Sequence, residues 1–399
     1  MKHNVIGVEG NHPCTGCGVC SSVCPHSAIK LEEDSNGFYH PIIEESKCVS
    51  CAVCLKVCSK YDEDILEEGA SYECYSATNK DGRELSESSS GGVSIELMRE
   101  CLAQGFYVVG AMYDVSQNRT FTKIAKTPQE LEQFKGSKYM QSNTQEAFKA
   151  VVQDSSEQKY AIFGTPCQIY AFQKLARVFH KTEKYLFVDI FCHGCPSMLL
   201  WDKYLDYIKS ENKWRQIDEI RFRTKTHGWH EYCHDFYASQ KKYSSSKYND
   251  PFNELFFGED AMNESCYSCI ARNTFLYTDI RIGDFWGKRH DANSKGVSAV
   301  VLCTEKGKKL FAKVADKFEI SSADFEEIVR GQTYRKQYPL HSSRRDAILS
   351  MLRGEEALTA VVQKRRKMLS KKANLKRILK GLLKHLPQPI YFRIKKIIK

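Results

Sequence analysis

The chain has 399 residues, 42% of them hydrophobic and 27% charged, which is material for two or three cores when single domains usually run ~100–200 residues. That balance excludes disorder as the main state. No stretch approaches the roughly eighteen apolar residues of a membrane span, and residues 1–10 lack the apolar run of a secretory signal, so a cytoplasmic protein is expected. The net charge of +10 is uneven: of 59 Lys and Arg, fourteen fall between Gln363 and Lys399, where there is no Asp or Glu, leaving 45 basic against 49 acidic residues elsewhere. The basic character therefore belongs to a tail, and nucleic acid is not an expected partner. Seventeen cysteines in a reducing compartment point to metal or redox work ahead of disulfides.

Residues 1–62 hold an internal repeat. Cys14, Cys17, Cys20 and Cys24 recur at the same gaps as Cys48, Cys51, Cys54 and Cys58. A 4Fe–4S cubane takes three thiolates from a tight loop of two-residue spacings and a fourth from a distant segment. Structural zinc prefers two Cys pairs per site and fits this triplet poorly. Gly16 and Gly18 let the first loop turn, and Pro25 completes the motif after Cys24, where the second half has Ser59. The segment resembles a two-cluster bacterial ferredoxin along its whole length. The resemblance implies crossed ligation, with Cys14, Cys17, Cys20 and Cys58 on one cluster and Cys48, Cys51, Cys54 and Cys24 on the other.

After an acidic linker, Asp62 to Glu68, the pattern becomes alternating helix and strand. Residues 94–104 have helical spacing and end at Gly105; 106–112 read as a buried strand. A strand at 159–163 leads through Gly164 to Pro166 into a helix over 167–179, and 185–191 is a further strand. The result is a βαβ unit, and the expected body is an open, largely parallel α/β sheet with flanking helices. Cys167 and Cys192 each follow a strand, so their thiols should meet at one sheet edge. Cys266 and Cys269 form a third Cys-x2-Cys element before a strand at 279–283. These four are candidate ligands for a third cluster, with Cys195 able to replace Cys192 or pair with it. Cys74, Cys101, Cys233 and Cys303 read as small buried hydrophobes.

The segments Ser90-Gly91-Gly92-Val93, Gly136-Ser137-Lys138-Tyr139, Gly164-Thr165-Pro166-Cys167-Gln168, Cys192-His193-Gly194, Ser265-Cys266-Tyr267-Ser268-Cys269 and Gly283-Asp284-Phe285-Trp286-Gly287 occur in that order. Over about residues 72–320 the chain resembles the coenzyme F420 hydrogenase/dehydrogenase beta-subunit family. The resemblance implies an oxidoreductase with FAD beside a cluster, exchanging electrons with a deazaflavin or another two-electron substrate. It divides the body into 72–150, 151–330 and a helical region over 331–399. Toward FAD it implies backbone amides at Gly91 and Gly92 against the pyrophosphate, Ser90 as cap, and Lys138 and Tyr139 as contacts. His193 and Asp284 are candidates for proton donor or cofactor contact, and His227, Trp229 and His230 for the substrate side. Clusters move single electrons and flavin converts them to pairs, which is the chemical reason to want one.

In the tail, Leu375, Ile378, Leu379, Leu382, Leu383 and Leu386 recur at helical steps among Lys376, Arg377, Lys380 and Lys384. A basic amphipathic helix of this kind either lies peripherally on an anionic membrane face or docks on the body. The expectation is an iron–sulfur flavoenzyme that links ferredoxin or another redox protein to a small organic or sugar-linked substrate. The rival is a non-catalytic electron-relay subunit whose partner holds the substrate, in the service of membrane-associated polysaccharide synthesis.

Overall fold

The computed structural model describes residues 3–63, 71–247, 250–336 and 338–383. At the front, strands β1 (Ile29–Glu33) and β2 (Tyr39–Ile43) pair as an antiparallel hairpin between the two cysteine loops. Among the described residues the core private to this unit is Val5, Cys20, Ile29 and Cys54 with their half-buried neighbours, Cys24 and Cys58 among them. So small a core cannot hold a fold by apolar burial alone.

The body is built on one nine-stranded sheet. Its strands in chain order are β3 (Glu73–Asn79), β4 (Tyr107–Asp114), β5 (Arg119–Ala125), β6 (Ser142–Asn143), β7 (Tyr160–Gly164) and β8 (Tyr185–Ile190). Three further strands, β9 (Glu219–Thr224), β10 (Cys233–Ala238) and β11 (Lys241–Ser244), form a small antiparallel sheet, after which β12 (Ile280–Asp284), β13 (Ser298–Leu302) and β14 (Phe318–Ser322) return to the large one. Its order is β14-β3-β13-β12-β8-β7-β4-β5-β6. The βαβ unit is present where the sequence pattern places it: β4, β7, β8 and β12 run parallel, with the helix Pro166–Val178 between β7 and β8. The expectation of a largely parallel sheet is corrected. β13, β3 and β14 on one flank and β5 on the other pair antiparallel, so the sheet is mixed. Buried parallel and antiparallel strands both read as short apolar runs, and strand direction depends on connections that the runs do not encode.

Both faces of the sheet are covered. In β7 and β8, Ala161, Phe163, Leu186 and Val188 pack with the helices Val93–Ala103 and Glu305–Val314. The alternate residues Tyr160, Ile162, Tyr185 and Phe187 pack with the helices Gln145–Gln153 and Pro166–Val178. Val19, Val23 and Val57 of the cysteine-rich unit join this second layer, so that unit leans on the body along the helices Gln145–Gln153 and Pro166–Val178. Cys74, Cys101 and Cys233 are buried and Cys303 half-buried, as apolar fillers.

Candidate functional site

The two cysteine loops share one backbone shape. Left-handed residues at Gly16 (φ +66°) and Gly18 (φ +77°) turn the first, so that Cys14, Cys17 and Cys20 line one cavity that Cys58 completes from the other half of the repeat. Cys48, Cys51, Cys54 and Cys24 line a second cavity. Amide groups already face sulfur: Gly16 N donates to Cys14 Sγ (3.4 Å), Ala28 N to Cys24 Sγ (3.3 Å) and Asn4 Nδ2 to Cys48 Sγ (3.6 Å). Burial pushes the Cys14 thiol up to about 11 and Cys58 to about 12, with neighbouring thiols adding to both shifts, and Cys20 is raised well above the usual thiol range for the same reasons. Four thiolates crowded out of water repel one another, and a cationic iron core is what makes such a donor set stable. Among the described residues no group of three or more His, Cys, Asp or Glu is gathered around a position for a single ion.

A larger cavity of about 530 Å³ opens in the body at the ends of the parallel strands. β7 ends at Gly164, and Thr165 caps the next helix in a capping box with Gln168, which sets Cys167 in the first turn. Thr165 Oγ1 lies 3.2 Å from Cys167 Sγ. Because β8 runs parallel to β7, its following residue Cys192 emerges at the same edge. Cys266 ends a 3-10 turn, Glu264–Cys266, and its Sγ accepts from Cys195 N at 3.3 Å. Cys167, Cys192, Cys195, Cys266 and Cys269 all line the cavity. Burial is the main cause that pushes Cys192 to about 11 and Cys266 to about 12 and lifts Cys167 and Cys195 well above the usual thiol range; for the first three Cys269 adds most among the neighbouring thiols, for Cys195 it is Cys266. Five thiols therefore converge where four were expected. Cys17 also lines this cavity and contributes to the shift at Cys167.

The other expected contacts divide. Gly92 (φ +86°), and not Ser90, is the N-cap of the helix Val93–Ala103, and no side chain caps it. Gly92, Val93, Ser94 and Ile95 line the cavity, so the first-turn amides of a three-turn helix have no side-chain acceptor. Ser90 instead donates from Oγ to Val297 O (2.9 Å). Gly91 is absent from the lining: its N donates to Ser298 Oγ (2.9 Å), and a Cβ there would sit 2.1 Å from Ala77 O, so its smallness serves the packing of β3 against β13. Lys138 and Tyr139 both line the cavity. The Lys138 ammonium is folded onto Gln133 O (3.0 Å) and Lys135 O (2.8 Å), and burial pushes it down to about 7.

His193 and Asp284 both line the cavity. Burial, with Lys336 and Arg272 nearby, pushes His193 down to about 3, so the ring is neutral at pH 7, with Nδ1 2.9 Å from the Tyr338 hydroxyl. Asp284 accepts from Arg223 Nη2 (2.8 Å) and Trp229 Nε1 (2.5 Å). Trp229 and His230 are buried behind the cavity, Trp229 stacked on Trp286 at 4.6 Å, and His227 is exposed. Trp286 and Tyr232 form the wall in their place.

Sequence reasoning missed the seam between the two units. Gln141 Oε1 accepts from Tyr39 N (2.8 Å) and its Nε2 donates to Thr15 O (3.1 Å). Thr144 Oγ1 donates to Cys17 O (2.8 Å), and Gln145 Oε1 accepts from Leu31 N (2.6 Å). One short segment thus holds the first cysteine loop and both strands of the hairpin. Nothing in a Gln-Ser-Asn-Thr-Gln run marks it. Asp62 adds a second tie, accepting from the Tyr170 hydroxyl (2.9 Å) and pairing with Lys174.

Comparison with known proteins agrees with this division. An uncharacterised protein of Methanocaldococcus jannaschii is 23% identical over 335 residues, 75% of this chain and 86% of that protein. The coenzyme F420 hydrogenase subunit beta of Methanococcus voltae is 36% identical over 73 residues, 18% of this chain and 26% of that protein. A chain of the F420-reducing NiFe hydrogenase complex of Methanosarcina barkeri superposes with a TM-score of 0.46 at 19% identity, over 76% of this chain and 94% of that one. Residues 13–60 match the 4Fe–4S dicluster domain, and residues 157–327 match the C terminus of the coenzyme F420 hydrogenase/dehydrogenase beta subunit. The chain is therefore an iron–sulfur protein in which a 4Fe–4S dicluster domain precedes a C-terminal domain of the coenzyme F420 hydrogenase/dehydrogenase beta-subunit family.

Proposed function

We propose that the chain is an iron–sulfur flavoprotein oxidoreductase that moves electrons between a ferredoxin-type carrier and a two-electron substrate. Cys24, Cys48, Cys51 and Cys54 hold the outer 4Fe–4S cluster and Cys14, Cys17, Cys20 and Cys58 the inner one. Cys167, Cys192, Cys266 and Cys269 hold a third, with Cys195 as a fifth thiol beside it. Bound FAD would convert single electrons to pairs. The uncapped amides of Gly92 to Ile95 suit a pyrophosphate, since a helix N-terminus carries partial positive charge, and Lys138 sits on the same lining. Tyr139, Tyr232, Trp286 and Phe256 supply an apolar wall that keeps water from the reacting atoms. The Arg223–Asp284–Trp229 bonds hold that wall in place, and neutral His193 serves as a contact. Deazaflavin and sugar-linked compounds are both two-electron substrates of suitable class.

The observation that carries this reading is Cys17, which lines both the inner cluster's cavity and the body cavity and lies close enough to Cys167 to perturb it. A path from the inner loop to the body cavity follows. The test is an anaerobic count of cofactors with stopped-flow reduction by a low-potential ferredoxin. Roughly twelve irons and one flavin, with flavin reduced after the clusters, are expected. About eight irons without flavin would remove the reading.

A further inference from the structure

The last two described helices differ in how they meet the body. The helix Leu358–Met368 is fastened to it: Leu358, Val361 and Val362 are buried, and Arg365 Nε bonds Asp260 Oδ2 at 2.5 Å. The next helix, Lys371–Leu383, is tied at its start by Asn374 Nδ2, which donates to Arg366 O (2.8 Å) and Leu369 O (3.4 Å), and then carries exposed aliphatic residues. Leu375, Ile378 and Leu379 stand at positions i, i+3 and i+4, hence on one stripe, and are 58%, 49% and 37% exposed. Scattered exposed aliphatics are ordinary, but a contiguous stripe marks a surface that something covers. Lys371 and Lys372 are exposed in the helix's first turn. The sequence from Gln363 to Lys399 holds fourteen Lys and Arg without one Asp or Glu.

Three kinds of occupant can be compared on these facts. A nucleic-acid backbone would use the charge but leave the aliphatic stripe in water, because single strands are gripped by aromatic stacking. A second copy would cover the stripe but would bring two segments rich in Lys and Arg together. An anionic lipid surface uses both features at once, the stripe entering the acyl boundary and the cations meeting the headgroups. Among the described residues no helix is long and apolar enough to span a membrane, and the 13 described residues of this one cover ~20 Å against a hydrocarbon core of ~30 Å.

We propose that the helix Lys371–Leu383 is a membrane-surface anchor that seats Leu375, Ile378 and Leu379 in the headgroup region of an anionic bilayer. This inference is independent of the cofactor reading. The full chain is mixed with phosphatidylcholine vesicles with and without phosphatidylglycerol, and flotation is measured. Alongside it go Leu375→Ser/Ile378→Ser/Leu379→Ser and Lys371→Gln/Lys372→Gln, each checked for unchanged iron content and monomer mass. The native chain should float only with the anionic vesicles. Its partition should fall at least about tenfold in the triple Ser variant and by about threefold in the Lys variant. The proposal is overturned if the native chain stays in the lower fraction, if the triple Ser variant floats as well as the native chain, or if sedimentation shows a lipid-free dimer that the triple Ser variant loses.

Discussion

The two halves of the cysteine repeat have the same spacing and the same backbone turn but opposite surroundings. In the first loop the left-handed positions are Gly16 and Gly18; in the second they are Ser50 (φ +57°) and Ala52 (φ +61°). Positive φ alone therefore does not demand glycine here, although it favours it. What demands it is contact. A Cβ on Gly16 would lie 2.4 Å from Tyr39 O, and one on Gly18 would lie 2.1 Å from Thr144 Oγ1, whereas Ser50 and Cys51 face solvent. One loop is pressed into a seam that ends at the body cavity, and the other is presented outward. A duplicated unit has become an inner and an outer site because only one copy is covered.

The largest test of that contrast exchanges the two trailing cysteines. Cys58→Ser should remove the inner cluster and Cys24→Ser the outer, each taking iron from roughly twelve to eight per chain. Cys58→Ser breaks the step into the body cavity, so that flavin reduction by dithionite-reduced ferredoxin should slow at least ~100-fold. Unslowed flavin reduction in Cys58→Ser would show that electrons do not pass through the inner cluster. Next is Gly18→Ala, whose methyl has nowhere to go because Thr144 is fully buried. It should cost ~2–3 kcal/mol in thermal or denaturant unfolding, and Thr144→Ala in the same chain should restore part of it. A loss below ~0.5 kcal/mol would mean that the seam is loose.

Gln141→Ala probes the seam's hydrogen bonds. It leaves Tyr39 N and Thr15 O without their partner, a cost of ~1–2 kcal/mol, and it should broaden the resonance of the inner cluster while leaving the outer signal unchanged. Smallest is Ala52→Gly. Relief of the left-handed strain opposes the extra chain entropy, so stability should change by no more than ~0.5–1 kcal/mol. A larger loss would show that the outer loop is packed as tightly as the inner one.

Much of the site could be read before any coordinates. Cysteine spacing names its own chemistry, because a cubane needs thiolates at those intervals along a tight loop. The strand–turn–helix around Cys167 was equally visible, since Thr165-Pro166 is a helix start that local capping enforces. What escaped was the role of residues without a local signature. Gly91 reads as a phosphate-loop glycine and serves strand packing; Ser90 reads as a cap and bonds Val297 O. Lys138 reads as a phosphate contact and is bound to two carbonyls of its own turn.

The sequence alone indicated which residues could hold clusters and where the βαβ unit lies, because each follows from interactions between near neighbours; most of the basic amphipathic pattern expected beyond Leu375 lies outside the described residues. Tertiary structure alone decided the mixed strand directions, the convergence of Cys195 on four other thiols and the meeting of Cys17 with Cys167. The thiol contacts join distant segments, 71 residues apart for Cys195 and Cys266 and 150 for Cys17 and Cys167, and their cause is the burial of two faces of one sheet, a condition on the whole chain that no local pattern carries.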